Sequence, residues 1–400
     1  MEPVSVLMCA IGGYGYYYLK TLLEEISEDK AILCGVIDPQ AEQSGLYAEL
    51  VKRNVPVYSK IEDFYNYGFK ADLVVISSPI HFHVRQSIIA MQNGSNVLCD
   101  KPVGTIVQDV LKLIEVKDNY NMKLSIGYQW SFTNAIQNLK KDILNNKFGK
   151  ALLLKSLCFW PRGYDYYSRN NWSGKIKSLE GDWIIDHPAN NAFAHFVHNM
   201  LFVLGESMSA SAVPESIAGE LYKAYEIENG DTVCCRILTD RDVDLLFYGS
   251  HVTKNIHEPV FVFEFEKATV SLNRKSREIS SVLKDGETIN YGSPEREHQF
   301  LKLFNAIESV NNSDREYCCA EAALAQTICA NGIQESNLNV AKFPEEIIII
   351  EKNRRWIKGL EEDLINCYNK NILPGEGEFA WAKARRKVSL LDYKNFPTGS

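Results

Sequence analysis

The sequence of 400 residues has no apolar run long enough to cross a bilayer, and its start lacks the charged and apolar blocks of a secretory signal. Its 10 cysteines include no Cys-x-x-Cys pair and no regular spacing, which argues against a zinc ribbon or a disulfide framework. The net charge is −8, and the one short basic cluster spans 383–387, so a nucleic-acid surface is not expected. We therefore expect a cytoplasmic protein with reduced thiols and no membrane or nucleic-acid partner.

The composition is that of a globular chain, with 46% hydrophobic residues. A chain of this length buries two cores more readily than one. We expect a nucleotide-binding domain over residues 1–130 and a second domain over 131–400, which includes a C-terminal stretch without recognisable chemistry.

A glycine-rich turn follows the first apolar run. Residues 4–11 predict a strand, and the turn Gly12-Gly13-Tyr14-Gly15 leads into a helical pattern. The turn matches G-x-G-x-x-G with Ala10 in the first position, so Gly12 lets the backbone approach a pyrophosphate and Gly15 lets helix and strand pack closely. The start of the helix then receives the phosphate charge.

An acidic residue ends the second predicted strand, 32–37. Asp38 stands close to the ~20-residue spacing at which a carboxylate takes the ribose hydroxyls of NAD. Because Pro39 and Gln40 follow it and no arginine does, a 2′-phosphate would be repelled, and the sequence favours NAD over NADP.

Strands then alternate with helical patterns as far as residue 126, and Lys101 follows one of the buried strands. This alternation predicts a doubly wound parallel sheet with right-handed crossovers. In such sheets ligands bind at the carboxyl ends of the strands, so Lys101 is expected beside the cofactor.

Four short blocks resemble the Gfo/Idh/MocA family, named after glucose-fructose oxidoreductase and inositol dehydrogenase. They are Gly12-Gly13-Tyr14-Gly15 with Asp38, Ser77-Ser78-Pro79 with His83, Asp100-Lys101-Pro102 where the family usually has Glu-Lys-Pro, and Gly127-Tyr128-Gln129. The resemblance implies a sugar or polyol oxidoreductase. The cofactor residues it implies are Gly12, Gly13, Tyr14, Gly15, Asp38, Ser77, Ser78, Pro79, His83, Asp100, Lys101 and Gln129.

The fold expected from this resemblance is an α/β N-terminal Rossmann domain plus a C-terminal α+β domain with a large open, mostly antiparallel sheet. Period-two patterns such as 260–265 fit antiparallel strands with one covered face. Helices at 297–310 and 321–335 are expected to back this sheet. The family's sheets commonly pack between subunits, which implies a homodimer or homotetramer.

The family's second domain carries an Asp, a His and a further Asp before an apolar helix. Here His195 falls on the family histidine, Asn191 replaces the first Asp and His198 the second. If Asn191 and His195 share a helix, their side chains meet on one face. The resemblance makes His195 the base that removes a hydroxyl proton, with Lys101 on the same oxygen and Asn191 and His198 shaping the substrate.

An aromatic and polar loop, 159–172, lies between the two parts. Flat rings surrounded by polar groups suit the faces of sugars, and an ordinary surface loop or subunit contact is an equal alternative. The candidate substrate residues are Trp160, Arg162, Tyr164 and Trp172. Asp182 and Asp186 precede the histidine region without a role of their own.

We expect no metal. His187, His195 and His198 are zinc-ligand types, but no carboxylate or cysteine completes a recognised ligand set.

The sequence thus predicts an NAD-dependent oxidation of a secondary hydroxyl on a sugar, a glycoside or a cyclitol, with carbon 3 of a glucoside as a specific hypothesis. Two alternatives stay open. One is a redox-neutral enzyme, of the glycosidase or epimerase type, that retains its NAD. The other is a non-catalytic NAD-binding sensor, which only the replacement of Asp at Asn191 favours.

Overall fold

The computed structural model describes residues 2–312, 317–337 and 339–398. Contacts between Cα atoms divide the chain into two compact units. The first unit is Met1–Gly104, Gln108–Phe132 and His298–Leu324; the second is Thr105–Val107, Thr133–Glu297 and Ala325–Ser400.

The strands in chain order are β1 (Val4–Cys9), β2 (Ala31–Ile37), β3 (Val57–Tyr58), β4 (Leu73–Ile76), β5 (Asn96–Cys99), β6 (Leu124–Ile126), β7 (Ala151–Phe159), β8 (Pro214–Lys223), β9 (Thr232–Thr239), β10 (Asp244–Ser250), β11 (His257–Phe265), β12 (Ala268–Leu272), β13 (Ile279–Leu283), β14 (Thr288–Gly292), β15 (Ala341–Lys342), β16 (Ile348–Glu351), β17 (Arg354–Ile357) and β18 (Lys387–Ser389).

The α-helices in chain order are α1 (Tyr14–Glu24), α2 (Tyr47–Lys52), α3 (Ile61–Asn66), α4 (His83–Gln92), α5 (Val107–Tyr120), α6 (Asn134–Leu144), α7 (Tyr164–Ser168), α8 (Ala194–Val203), α9 (Leu301–Val310), α10 (Ala320–Ser336) and α11 (Leu360–Lys370).

The first unit holds a six-stranded sheet in the order β3-β2-β1-β4-β5-β6. Each neighbouring pair is parallel. This is the order of a dinucleotide-binding sheet, and it confirms the predicted doubly wound fold. β4 is buried at all four positions, as expected for a central strand covered on both faces.

The placement of α9 differs from the expectation that this helix would back the second sheet. Leu303, Ala306 and Ile307 of α9 belong to the same buried cluster as Val6 and Met8 of β1. The helix has an ordinary amphipathic pattern, and that pattern does not say which apolar surface it covers. It therefore belongs to the first unit, although about 170 residues of chain separate it from β6.

The second unit holds a ten-stranded sheet in the order β14-β13-β12-β11-β7-β10-β9-β8-β15, with β18 also on β8. The β7–β10 and β8–β15 pairs are parallel, and the remaining pairs are antiparallel. This confirms the predicted large, mostly antiparallel sheet. β16 and β17 form a separate two-stranded sheet.

The C-terminal stretch is an integral part of the second unit. Residues of β18 pair antiparallel with β8, and Trp381 lies in the core cluster that includes Tyr222. Glu220 of β8 accepts hydrogen bonds from the Tyr222 hydroxyl (2.7 Å) and from the backbone N–H of Gly375 (3.0 Å). Within the described ranges, no helix combines the length and apolar character needed to span a bilayer.

Glu220 makes stability depend on pH. Burial raises its pKa from 4.5 to about 7, so the folded protein favours the protonated form, and this stabilising contribution is lost as pH rises from about 4.5 through about 7. Glu220→Gln should therefore be more stable than the parent at pH 8, by roughly 2 kcal/mol, and gain nothing at pH 5. Urea denaturation at the two pH values measures this.

The matched control is Glu215→Gln on the same strand, where the side chain is only half-buried and the change should be small at both pH values. Equal effects of Glu220→Gln at pH 5 and pH 8 would contradict the assignment.

Candidate active site

The turn after β1 is built for close approach of backbone atoms. A Cβ on Gly15 would lie 2.3 Å from the carbonyl oxygen of Ala10 and 2.5 Å from Oγ of Ser77, so a larger residue does not fit. A Cβ on Gly12 would meet no atom within 4 Å, so this backbone borders open space. Gly13 has a φ of +51° and Ala10 a φ of +65°, and the turn thus keeps its left-handed geometry without the first glycine.

The start of α1 suits an anion. It has no side-chain cap and no acidic residue in its first turn, so its N–H groups and the helix dipole are available to a phosphate. Asp38 accepts from the backbone N–H of Ile11 (2.9 Å) and of Gln40 (2.8 Å), and so joins the end of β2 to this turn. The open Gly12 backbone, the helix start and Asp38 fit NAD.

The Ser77-Ser78-Pro79 segment and His83 brace the strand ends. Ser77 donates from Oγ to the carbonyl of Ala10 (2.9 Å), and Ser78 donates to Gln86 (2.6 Å). The ring nitrogens of His83 lie 2.7 Å from the carbonyl oxygen of Pro102 and 2.8 Å from that of Ser78. His83 is buried, and this burial lowers its pKa. The structure thus gives His83 contacts within the protein that hold the two loops together.

Asp100 forms a buried ion pair that the sequence analysis missed. Nζ of Lys302, on α9, lies 2.9 Å from Oδ1 of Asp100 and 3.1 Å from the carbonyl oxygen of Gly127. Lys302 is 1% exposed, and Tyr18 donates to the same carboxylate oxygen at 3.1 Å. Burial opposes charge on both groups, but their mutual attraction holds the pKa of Asp100 below and that of Lys302 above the ordinary values.

Aromatic rings surround the Lys302 ammonium. The ring centroids of Tyr14 and Tyr18 lie 4.7 and 4.8 Å from Nζ, within cation–π distance. Tyr14 also stacks on Phe300 at 5.6 Å. The Tyr14 side chain, expected at the cofactor, therefore packs against the ion pair, and only its backbone belongs to the phosphate turn.

Lys101 lies at the same sheet edge as the glycine turn. Ala10 and Ser77 directly follow β1 and β4, and Asp100-Lys101 directly follow β5, so three adjacent parallel strands end together here. Lys101 is half-buried and its peptide bond to Pro102 is cis. Gln129 is half-buried at the start of the 3-10 helix Gln129–Phe132 after β6.

In the second unit, Asn191 bonds to a carboxylate. Its Nδ2 donates to Oδ1 of Asp186 (2.8 Å), while Oδ2 of Asp186 accepts from the backbone N–H of Gly174 (2.6 Å). Since a carboxylate accepts, the amide nitrogen of Asn191 must face Asp186, and its carbonyl oxygen is directed elsewhere. Asp186 is 6% exposed, so this orientation is fixed away from solvent.

Asn191 lies in the turn before α8 and not in the helix, which begins at Ala194. The N–H of Phe193 bonds to the carbonyl of Pro188 (2.8 Å), which closes this turn. His195 is half-buried in the first turn of α8.

The other three histidines near this site are buried. Burial lowers the pKa of His198 to about 3, with a contribution from the charge of Lys140, and lowers that of His187 to about 4 and of His251 to about 3. His198 is 1% exposed and its ring stacks on Phe202. The structure thus supports a neutral core residue at His198 rather than the expected substrate contact, because α8 is apolar on nearly all sides.

The aromatic loop is partly ordered by stacking. The Trp160 ring lies 5.4 Å from Phe193 and 5.6 Å from Phe196, and the Arg162 guanidinium lies 6.0 Å from Trp160 and 4.9 Å from Tyr166. The two remaining candidates, Tyr164 and Trp172, each contact an arginine. Tyr164 accepts a hydrogen bond from Arg355, and Trp172 lies 5.5 Å from Arg169.

Among the described residues, no group of three or more His, Cys, Asp or Glu side chains is arranged to hold a metal ion. Lys302 was not predicted from the sequence, and Asp186 had no predicted role. Lys302 carries no local motif, whereas an acidic residue shortly before a polar turn was a weak signal for Asp186.

Comparison with known proteins adds a family match. Residues 4–128 match the family model described as "Oxidoreductase family, NAD-binding Rossmann fold", which carries the name GFO_IDH_MocA. This range contains the glycine turn, Asp38 and Lys101.

Two curated relatives illustrate the chemistry of similar proteins. The 2,7-anhydro-N-acetylneuraminate hydratase of Mediterraneibacter gnavus is 23% identical over 48% of this chain and 46% of its own length. An inositol 2-dehydrogenase of Corynebacterium glutamicum is 26% identical over 35% of this chain and 41% of its own length. This chain thus spans less than half the length of either relative.

A solved structure agrees with the fold of both units. The WlbA dehydrogenase of Bordetella pertussis, solved in complex with NADH and UDP-GlcNAcA, is 20% identical with a TM-score of 0.67. The match covers 84% of this chain and 96% of that one.

The Asp100–Lys302 ion pair should contribute far more to the free energy of unfolding than a surface ion pair does. Lys302→Met leaves a buried carboxylate unneutralised and should lower the free energy of unfolding by about 3–5 kcal/mol. Asp100→Asn combined with Lys302→Met removes both charges and should recover much of this loss. Urea denaturation measures both variants. Lys20→Met, which breaks an exposed pair with Glu24, is the control and should change stability by less than about 1 kcal/mol. An equal effect of the two lysine substitutions would refute the buried pair.

Because Asn191 donates to Asp186, a second carboxylate at position 191 should destabilise the folded protein. Asn191→Asp sets two carboxylates 2.8 Å apart and should lower stability at pH 8 by roughly 1–3 kcal/mol. The double variant Asp186→Asn with Asn191→Asp exchanges the two groups, so that one amide again faces one carboxylate. This variant should recover most of the lost stability. Thermal or urea unfolding at pH 8 measures this exchange.

Asn353→Asp is the matched control, because Asn353 also donates to a carboxylate, Asp165, at 2.8 Å but at an exposed position. Its loss should be much smaller. If Asn191→Asp were as stable as the parent, the assigned amide orientation would be wrong.

Proposed function

Because residues 4–128 match the family model of NAD-binding oxidoreductases named GFO_IDH_MocA, we propose that the protein oxidises a secondary hydroxyl of a sugar, glycoside or cyclitol with NAD as the hydride acceptor. The observation that carries the proposal is the shared sheet edge of the glycine turn and Lys101, where β1, β4 and β5 end. A lysine beside a dinucleotide turn suits chemistry on an alcohol oxygen.

The cofactor's contribution is to take the hydride that leaves the substrate carbon. Its pyrophosphate would be held by the Gly12 backbone and the start of α1, and its ribose by Asp38. Asp38 without a nearby arginine in sequence supports NAD rather than NADP.

Lys101 donates a hydrogen bond from Nζ to the substrate oxygen and favours its alkoxide-like form. The adjacent Asp100 is paired with Lys302, so the charge of this carboxylate is compensated within the protein.

His195 accepts the hydroxyl proton on a ring nitrogen. Asn191 supports this step as an acceptor through its Oδ1, because its amide nitrogen is bound to Asp186. An imidazole N–H or a substrate hydroxyl is the donor that this oxygen accepts.

The substrate class draws on the relatives as well as on the loop. One relative is named as an inositol dehydrogenase, and one structural neighbour was solved with a nucleotide sugar. Trp160 in its layer with Phe193 and Phe196 offers a flat apolar face of the kind sugars stack on. Oxidation at carbon 3 of a glucoside is the specific form of the proposal.

A second candidate is a reaction without net redox change, in which the cofactor stays bound. The relative named as a hydratase favours it, because hydration itself moves no electrons to the cofactor. A non-catalytic NAD sensor is the weaker alternative, because Asp186 supplies a carboxylate next to the substituted Asn191. We extend the proposal to a cytoplasmic homodimer or homotetramer, which sedimentation velocity tests for the assembly.

The test incubates the purified protein with NAD and a panel of glucosides, free hexoses and inositols, and follows nicotinamide reduction and substrate loss together. Reduction with one class supports the dehydrogenase and identifies its substrate. Substrate loss without reduction favours the redox-neutral candidate, and no change in either signal favours the sensor.

Substitutions locate the proton chemistry. Lys101→Ala and His195→Ala should each lower kcat by roughly 10²- to 10⁴-fold while NAD affinity changes little. Stopped-flow or steady-state kinetics measure kcat, and fluorescence titration measures NAD binding. Lys70→Ala and His298→Ala, at exposed positions of the first unit, are the controls and should retain turnover. Normal turnover in either test variant would remove that residue from the mechanism.

A further inference from the structure

We propose that Arg162 binds an anionic substituent of the substrate, a carboxylate or a phosphate, and this inference rests on the function proposed above. The substrate class would then be acidic sugars, such as uronates or sugar phosphates, in preference to neutral glycosides.

The backbone of Arg162 is held on both sides. Its N–H donates to the carbonyl of His251 (2.9 Å), and its own carbonyl accepts from the Tyr225 hydroxyl (2.7 Å). Tyr225 is 2% and His251 is 2% exposed, so both partners belong to the core of the second unit. The start of the Arg162 side chain is therefore fixed relative to the ten-stranded sheet.

The guanidinium lies near two aromatic rings, and its Nε lacks an acceptor among the described residues. Cζ is 4.9 Å from the Tyr166 ring centroid and 6.0 Å from that of Trp160. Nε is buried and has no hydrogen-bond partner among the residues that the structure describes. Over the same part of the chain, Arg162 takes part in no ion pair. A buried donor without an acceptor is unfavourable, and a ligand oxygen would supply the missing partner.

Structural arginines of the same unit look different. Arg236 bonds to Asp244, to Glu376 and to the carbonyl of Asn371. Arg355 bonds to the Tyr164 hydroxyl and the carbonyl of Ala224. These donors are used within the protein, whereas the planar fork of Arg162 suits an acceptor that takes two parallel hydrogen bonds, as a carboxylate or a phosphate does.

Arg162 is also connected to the candidate catalytic residues. Trp160, two residues before it, packs against Phe193, which directly precedes α8 with His195 in its first turn. An anionic group bound by Arg162 would thus lie near the Trp160 and Phe193 rings, which adjoin the helix that carries His195.

The charges around Arg162 are compatible with an anion. Arg169 lies 3.6 Å from the centroid of the same Tyr166 ring and adds a second positive charge. Asp186 has both oxygens occupied by Asn191 and Gly174, and Glu258 accepts from Nε1 of Trp160 (3.4 Å). His251 carries no charge near neutral pH, because burial and then the two arginines lower its pKa to about 3.

The test measures equilibrium binding of three sugars to the protein saturated with NADH, by calorimetry. They are methyl glucuronide with a carboxylate, glucose 6-phosphate with a phosphate, and neutral methyl glucoside. At least one anionic sugar should bind roughly 10- to 100-fold more tightly than methyl glucoside, and which one does so identifies the anion. Arg162→Met should remove this preference, and Arg162→Lys should keep part of it.

Lys177→Met is the matched control, since Lys177 also lies over an aromatic ring of this unit, 4.0 Å from the Trp183 centroid. It should leave the preference intact. The inference is overturned if neither anionic sugar binds more tightly than methyl glucoside, if the preference survives in Arg162→Met, or if that variant weakens all three sugars equally.

Failure of the proposed function is distinguishable from failure of this inference. If an anionic sugar binds through Arg162 but no nicotinamide reduction follows, the anion site stands and the dehydrogenase reaction does not. If a neutral sugar is oxidised and Arg162→Met leaves its KM unchanged while no anionic sugar is preferred, the reaction stands and the anion site does not.

Discussion

The buried ion pair of Asp100 and Lys302 is the interaction on which the cofactor half of the protein depends. It joins the end of β5, which carries Lys101, to helix α9 and to the carbonyl of Gly127 after β6. Tyr14 and Tyr18, from the helix that follows the glycine turn, enclose the same ammonium. The buried ion pair therefore links the glycine turn, the backbone that carries Lys101 and the ends of β5 and β6. A lone Asp100 at this depth would be strongly unfavourable, which explains why a lysine from a distant helix is present.

A buried carboxylate is also satisfied by neighbouring groups around Asn191. The amide cannot hold a proton-bearing imidazole as a carboxylate would, yet it is itself bound to a carboxylate, and this bond directs its oxygen. Asp186 is in turn anchored by the backbone of Gly174. The negative charge of Asp186 thus lies in a buried position next to Asn191.

Much of the first unit was predictable because its signals are local. The glycine turn, Asp38 and the alternation of strands and helices each lie within short stretches, and they predicted both the parallel sheet and the cofactor. Lys302 was not predictable in this way. It lies about 200 residues from Asp100, and its helix shows an ordinary amphipathic pattern that fits either unit. Only the tertiary structure brings the two charges together.

The second unit was predictable in class but less so in detail. Period-two patterns predicted the antiparallel sheet, but spacing alone could not show which of His195 and His198 is buried. Both lie in α8, which has apolar residues on nearly every side, so the sequence does not show which side is covered. In the structure His198 is buried and His195 is half-buried. The spacing also did not show that the hydrogen bond from the Phe193 N–H to the Pro188 carbonyl closes a turn before α8. Asn191 lies in this turn and therefore outside the helix.

The most direct test of the central claim follows the hydrogen that leaves the sugar. The protein is incubated with NAD and the active sugar carrying deuterium on the carbon that bears the reacting hydroxyl, and the nicotinamide is analysed by mass spectrometry. The account predicts NADH that contains one deuterium from the sugar, formed together with a ketone product. Conversion of the sugar while NAD and NADH both remain free of deuterium would contradict it.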